Sequence, residues 1–169
     1  MPAYSEFIDR LLLPSDLLRK LHPAEPYDRD AVRRLQAADA ATLGSPSGLV
    51  RGGVYYALDA LDPAHELFQQ EPTPLGSYWH GMLHRREGDY DNARYWFRRA
   101  GALPFFAKLH RSVSEFSPLM GRQTHWDPYL FTNQCEHTRR GEEDTEKLPE
   151  LQRAEFNSVF DYTWRQEGK

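Results

Sequence analysis

His80 and His84 stand four residues apart in the string Trp79-His80-Gly81-Met82-Leu83-His84. On a helix this spacing puts both imidazoles on one face, close enough to share a metal ion. A catalytic metal usually draws a third ligand from the protein. His65, Glu87, His125 and Asp127 could supply it if the fold brings one of them near, and His65 or His125 would complete an all-histidine set. The plainer reading is that both imidazoles are buried and hydrogen-bonded in a packed helix, with no cofactor.

Around these histidines the sequence is rich in arginine and aromatic residues. Tyr95, Trp96 and Phe97 are consecutive and therefore spread over about 200° of a helix. A helix with no plain solvated face is either enclosed on all sides or borders a groove. Enclosure by the segments beginning at Leu103 and Leu148 is the simpler outcome. A groove lined by His80, His84, Trp96 and arginines would instead suit a small anionic molecule. Arg85, Arg86, Arg98 and Arg99 fall in the last turns of their helices, where surface cations offset the helix dipole. The sharper expectation is that Arg85 or Arg99 grips a carboxylate or phosphate with its planar fork.

Other signals are weaker. His65-Glu66 lacks the second histidine of a zinc-protease helix, since Gln69 stands there. No phosphate-cradling glycine loop and no Gly-x-Ser-x-Gly element occurs. Cys135 is the only cysteine, which excludes an internal disulfide and a thiolate zinc cluster. The segment His125-Trp126-Asp127-Pro128 reads as a capped helix start with Trp126 as a hydrophobic staple. Its functional reading is a loop closing over the His80/His84 face, with Asp127 orienting an imidazole.

Helices must position these groups, because the segments between Pro and Gly run at helical period. Expected helices cover residues 4–13, from Asp28 or Asp30 to Leu43 with Gly44 as the stop, 49–61, from the cap Asp62 to Gln70, 77–87 and 90–100. Further helices are expected over 103–120, over 128–140 behind the cap Asp127, and over 148–165 as an amphipathic docking element. Residues 141–147 read as a charged loop. The two pairs of helices within residues 45–104 resemble each other at an offset of 29 residues. Gly52 maps to Gly81, Ala64 to Ala93 and Phe68 to Phe97. Small residues at helix crossings with large ones beside them mark stacked helical repeats.

The segment from Gly81 through the turn Gly88-Asp89-Tyr90 to Ala93, Phe97, Ala100 and Pro104 resembles a tetratricopeptide repeat. The earlier pair is shorter than that family's usual 34 residues. The string from Tyr78 to Arg99 is also similar to a bacterial and fungal family that carries a Trp-His-Gly…His-Arg-Arg-Glu block, together with a Trp-Asp-Pro segment like Trp126-Asp127-Pro128. That second resemblance implies no assigned activity. The expected fold is a single all-α domain over residues 1–169, with antiparallel helical hairpins stacked as a short tetratricopeptide-like solenoid and flanked by further helices.

Hydrophobic residues make up 40% of the 169, which is ample for a core, and the net charge of −4 argues against a nucleic-acid binder. No apolar run is long enough to span a membrane and no signal peptide opens the chain, so a cytoplasmic protein is expected. The function expected from all this is a helical-repeat binding or scaffold protein that engages a protein segment or a small anionic ligand. Its candidate surface is His80, His84, Arg85, Trp96, Arg99, Trp126 and Asp127. The alternative is an enzyme, dependent on a divalent metal, that uses His80 and His84. A third reading is a homo-oligomer whose aromatic face is covered by a second copy.

Overall fold

The computed structural model describes residues 17–41, 47–141 and 147–167. The expected helix over 4–13, the stop at Gly44 and most of the charged loop at 141–147 fall outside the described residues. Those described are all-helical: nine helices and no strand occur among them. None of these helices is long and apolar enough to cross a membrane.

Helix α1, Arg29–Ala41, starts where the Asp28 carboxylate accepts the free N–H groups of Asp30 and Ala31, both at 2.9 Å. Helix α2, Gly48–Ala57, is buried along nearly its whole length and stops short of the expected Leu61. Asp59 takes a left-handed backbone (φ 58°), and the Arg86 guanidinium binds both its carboxylate and the Tyr56 carbonyl, so the chain turns there. Helix α3, Leu61–Phe68, has Ala60 at its N-cap, not Asp62 as expected. Pro63 is tolerated in the first turn because amides there have no partner within the helix.

Helix α4, Pro74–Glu87, begins three residues earlier than residue 77, behind the cap Thr73, whose hydroxyl accepts the Gly76 N–H at 3.0 Å. It ends at Gly88 (φ 81°), a conformation open to glycine at little cost. Helix α5, Tyr90–Ala100, follows the cap Asp89. The expected helix over 103–120 is two: α6, Phe106–Ser114, and α7, Pro118–Gly121. Ser117 breaks it, because its hydroxyl caps the Met120 N–H and Pro118 cannot continue a helix begun upstream. Helix α8, Pro128–Arg139, follows the cap Asp127, and α9, Leu148–Glu167, closes the described chain.

Helix α4 is the axis of the molecule. Every residue from Gly76 to Arg86 is buried, against α3, α2 and α5 on its flanks and against α9. Trp79 anchors this packing: it stacks on Phe68 at 5.1 Å, meets Tyr56 and Phe156 edge-on, and donates its indole N–H to Thr163 at 3.0 Å. Two glycines permit the crossings. A Cβ on Gly81 would lie 2.8 Å from the Phe97 ring, and one on Gly52 would crowd the Phe68 ring more closely still. The same Gly–Phe contact thus recurs at the 29-residue offset read in the sequence.

Candidate functional site

Two helices bring the histidines together, and a third covers them. The i, i+4 spacing on α4 stacks the His80 and His84 rings face to face, with centroids 4.7 Å apart. His65 arrives from α3 and meets both rings edge-on, at 4.7 and 4.9 Å. Trp96 arrives from α5 and covers the other face of His80 at 4.1 Å. One ligating nitrogen from each of His65, His80 and His84 falls within a 4.8 Å cluster. His80 and His84 are 4% and 5% exposed, whereas 32% of the His65 side chain is open to solvent.

Glu87 ties this cluster together from the last turn of α4. Its Oε1 accepts from His65 Nδ1 at 3.2 Å, and its Oε2 lies 2.9 Å from His84 Nδ1, at ion-pair distance but outside hydrogen-bond geometry. A carboxylate at a helix C-terminus opposes the helix dipole, so the imidazoles hold it there against the backbone's preference. Burial acts to raise the Glu87 pKa, but the close His84 imidazole and the hydrogen bond and charge of His65 outweigh it and hold the group below the usual range. Glu87 is therefore ionised and can only accept, which assigns the His65 proton to Nδ1.

His80 Nε2 faces His65 Nε2 at 2.8 Å, while His80 Nδ1 is buried with no hydrogen-bond partner. Desolvation, followed by the nearby His84 and His65 rings, pushes the His80 pKa down to about 4, so the ring is neutral near pH 7. Above Trp96 the Arg99 guanidinium lies 5.3 Å from the indole and donates to the Tyr95 hydroxyl at 3.3 Å. The arrangement is a column of imidazole, imidazole, indole and guanidinium with His65 at its side. Comparison of the chain with protein-family models, curated proteins and solved structures gave no match.

The remaining candidates lie elsewhere. Arg85 was expected at a surface; it is 1% exposed and held by both carboxylate oxygens of Glu155, with its plane 4.0 Å from the Phe131 ring centroid. Arg86 is equally buried, on Asp59. Both arginines turn inward because a distant acid neutralises each, 70 residues away for Arg85. Trp126 is in the core, donating to the Tyr78 hydroxyl at 2.7 Å and packing on Phe131 at 5.7 Å as the staple of α8. Asp127 caps α8 by accepting from Tyr129 and Leu130 N–H. His125 is exposed, bonds to Thr124, and stands outside the cluster. Of the two possible third histidines, the fold supplies His65.

Sequence reasoning missed His22, which meets the Arg86 carbonyl through Nδ1 and the Tyr90 hydroxyl through Nε2. It lines a cavity of about 470 Å³ beside Glu87, Asp62 and Arg139. Its setting at the head of the linker that holds Pro23 and Pro26 gave no periodic signal that could have placed it.

Proposed function

We propose that this is a helical-repeat binding protein whose ligand is a small anionic molecule, received where His65, His80, Trp96 and Arg99 meet. Two antiparallel helical hairpins, α2–α3 and α4–α5, stack in a tetratricopeptide-like manner in this reading. The recurrence of Gly52 on Phe68 as Gly81 on Phe97 supports it, because close helix crossings at a fixed sequence offset are the basis of repeat stacking. The lone, buried Cys135 fits a cytoplasmic setting.

The observation that carries the ligand class is Arg99. Its guanidinium is spread over Tyr95 and Trp96 and, among the described residues, is bonded to a hydroxyl and to no carboxylate, so its charge is available to an incoming anion. Arg85, by contrast, is consumed by Glu155 and takes no part. Isothermal titration with inorganic phosphate, sulfate and succinate tests this. At least one of the three is expected to bind the wild-type chain and to be lost in Arg99→Ala. No heat with any of them at millimolar concentration would remove the reading.

A second reading, an enzyme that uses His80 and His84, draws on the hydrogen-bonded chain Glu87–His65–His80. A carboxylate, an imidazole and a second imidazole in hydrogen-bonded sequence have the geometry of a proton relay.

A further inference from the structure

We infer that His65, His80 and His84 form a three-nitrogen site for one divalent transition-metal ion, with Glu87 as the outer carboxylate that orients two of the three rings. Four features converge on this. The three ligating nitrogens already lie within 4.8 Å of one another, on two helices locked together by the core. Glu87 engages Nδ1 of both His65 and His84, which in the carboxylate–imidazole–metal arrangement leaves the other ring nitrogen, Nε2, as a lone pair for the ion. His65, with its proton on Nδ1, turns a bare Nε2 toward His80 Nε2 at 2.8 Å.

The fourth feature is the buried, unpartnered Nδ1 of His80. If His80 donates from Nε2 to His65, its Nδ1 lone pair is stranded without a donor. If the proton is on Nδ1, a donor is stranded and two lone pairs oppose each other across 2.8 Å. Neither tautomer satisfies the ring, and a buried orphan of this kind is destabilising. A cation between the two Nε2 atoms converts the second arrangement from lone-pair repulsion into ligation, and only the His80 Nδ1–H is then left without an acceptor. Tetrahedral bonds of about 2.0–2.1 Å set neighbouring nitrogens about 3.3 Å apart, so the facing pair must separate by about half an ångström and the His84 ring must tilt out of its stack on His80 to aim at the same ion.

Ligand chemistry narrows the ion. Three imidazoles with no oxygen ligand suit Zn²⁺, Co²⁺, Ni²⁺ or Cu²⁺, whereas Mg²⁺ and Ca²⁺ require oxygen cages. Three protein ligands leave a fourth position, the pattern of reactive rather than structural zinc sites. Solvent reaches the cluster beside half-buried His65. That position would take water or the anionic ligand of the preceding subsection, and this last step rests on that reading.

The test uses the full chain without a polyhistidine tag, stripped with chelator and titrated with Zn²⁺ or Co²⁺ salts alone. The chain is expected to withdraw one Zn²⁺ from a chromophoric competitor and to give Co²⁺ the intense visible bands of low coordination number. A large excess of Mg²⁺ should leave both signals unchanged. His80 and His84 are buried, so their variants can fail to fold; half-exposed His65 is the better probe. His65→Gln should keep the melting temperature of the metal-free chain and lose Zn²⁺ affinity by more than about 100-fold, while Glu87→Gln should lose about 10–100-fold and shift the Co²⁺ spectrum. A stripped wild-type chain that leaves Zn²⁺ with the competitor, or a His65→Gln chain that binds as well as wild type, overturns the site. Metal uptake without any binding of phosphate or succinate keeps the site and removes the anion reading. Equal phosphate binding with and without metal keeps the anion reading and takes the open position out of it.

Discussion

Helix α4 carries buried polar groups on two sides, and the two sides are built on opposite terms. Toward α9 the Tyr78 hydroxyl donates to Glu155, Arg85 grips both Glu155 oxygens, and the Trp126 indole N–H closes the network on Tyr78. Burial, reinforced by the Glu155 charge, pushes the Tyr78 pKa well up and keeps that phenol a donor. Toward α3 and α5 the histidines contact one another, two ring nitrogens have no hydrogen-bond partner, and one carboxylate is shared. A satisfied buried network fixes structure; an incompletely satisfied one at an accessible edge is placed for something that is not protein.

The largest expected effect lies on the satisfied side. Arg85→Ala strands the Glu155 carboxylate at 0% exposure, and breaking a buried pair by removing one partner costs about 3–5 kcal/mol. Chemical denaturation should register that loss, while a paired replacement by apolar residues of similar volume should recover most of it. On the unsatisfied side, alanine at His65 should leave the metal-free chain nearly as stable as before. If both alanine variants destabilise alike, the contrast between the two sides fails.

Next in size is the effect of the ion itself. Free Zn²⁺ at about 100 times its Kd should stabilise the folded chain by about 2.7 kcal/mol. For a domain of this size that amounts to a rise of roughly 5–10 °C in Tm, reversed by chelator. A melting temperature indifferent to Zn²⁺ would place the histidine side on the same structural footing as the Glu155 side.

Smaller again are the glycine contacts that set both sides in register. Gly81→Ala gains up to about 1 kcal/mol of helix propensity but forces the Phe97 ring away, a strain of about 1–3 kcal/mol. Gly52→Ala should cost more, because its Cβ meets a ring already clamped against Trp79. Thermal melts of the two variants measure the difference. If both are stabilised, the helices are not as closely apposed as these contacts require.

Helical period and punctuation made the helices legible, and the His80/His84 face with them, because i, i+4 spacing is a local property of one helix. His65 could be named as a third ligand only as one option among four, since its approach depends on how α3 crosses α4. The arginines misled for the same reason: last-turn cations read as surface charges until Glu155 arrives from α9 and Asp59 from the turn between α2 and α3. Ser117 hid the break between α6 and α7, because a serine ahead of a proline caps a new helix as readily as it interrupts an old one. Local rules place side chains on faces; only tertiary contacts decide which faces meet.

Asp127 offers the finest discrimination, because sequence and structure give it different jobs. As an orienter of imidazoles it would affect metal uptake; as the N-cap of α8 it accepts from Tyr129 and Leu130 at 2.9 and 3.1 Å and touches no histidine of the cluster. Asp127→Ala should therefore lower stability by about 1 kcal/mol, and Asp127→Asn or Asp127→Ser should restore most of it, since those side chains cap equally well. Zn²⁺ affinity should be the same in all three variants. A fall in affinity that follows the loss of the carboxylate, rather than the loss of the cap, would draw α8 into the histidine side and erase the boundary between the two networks.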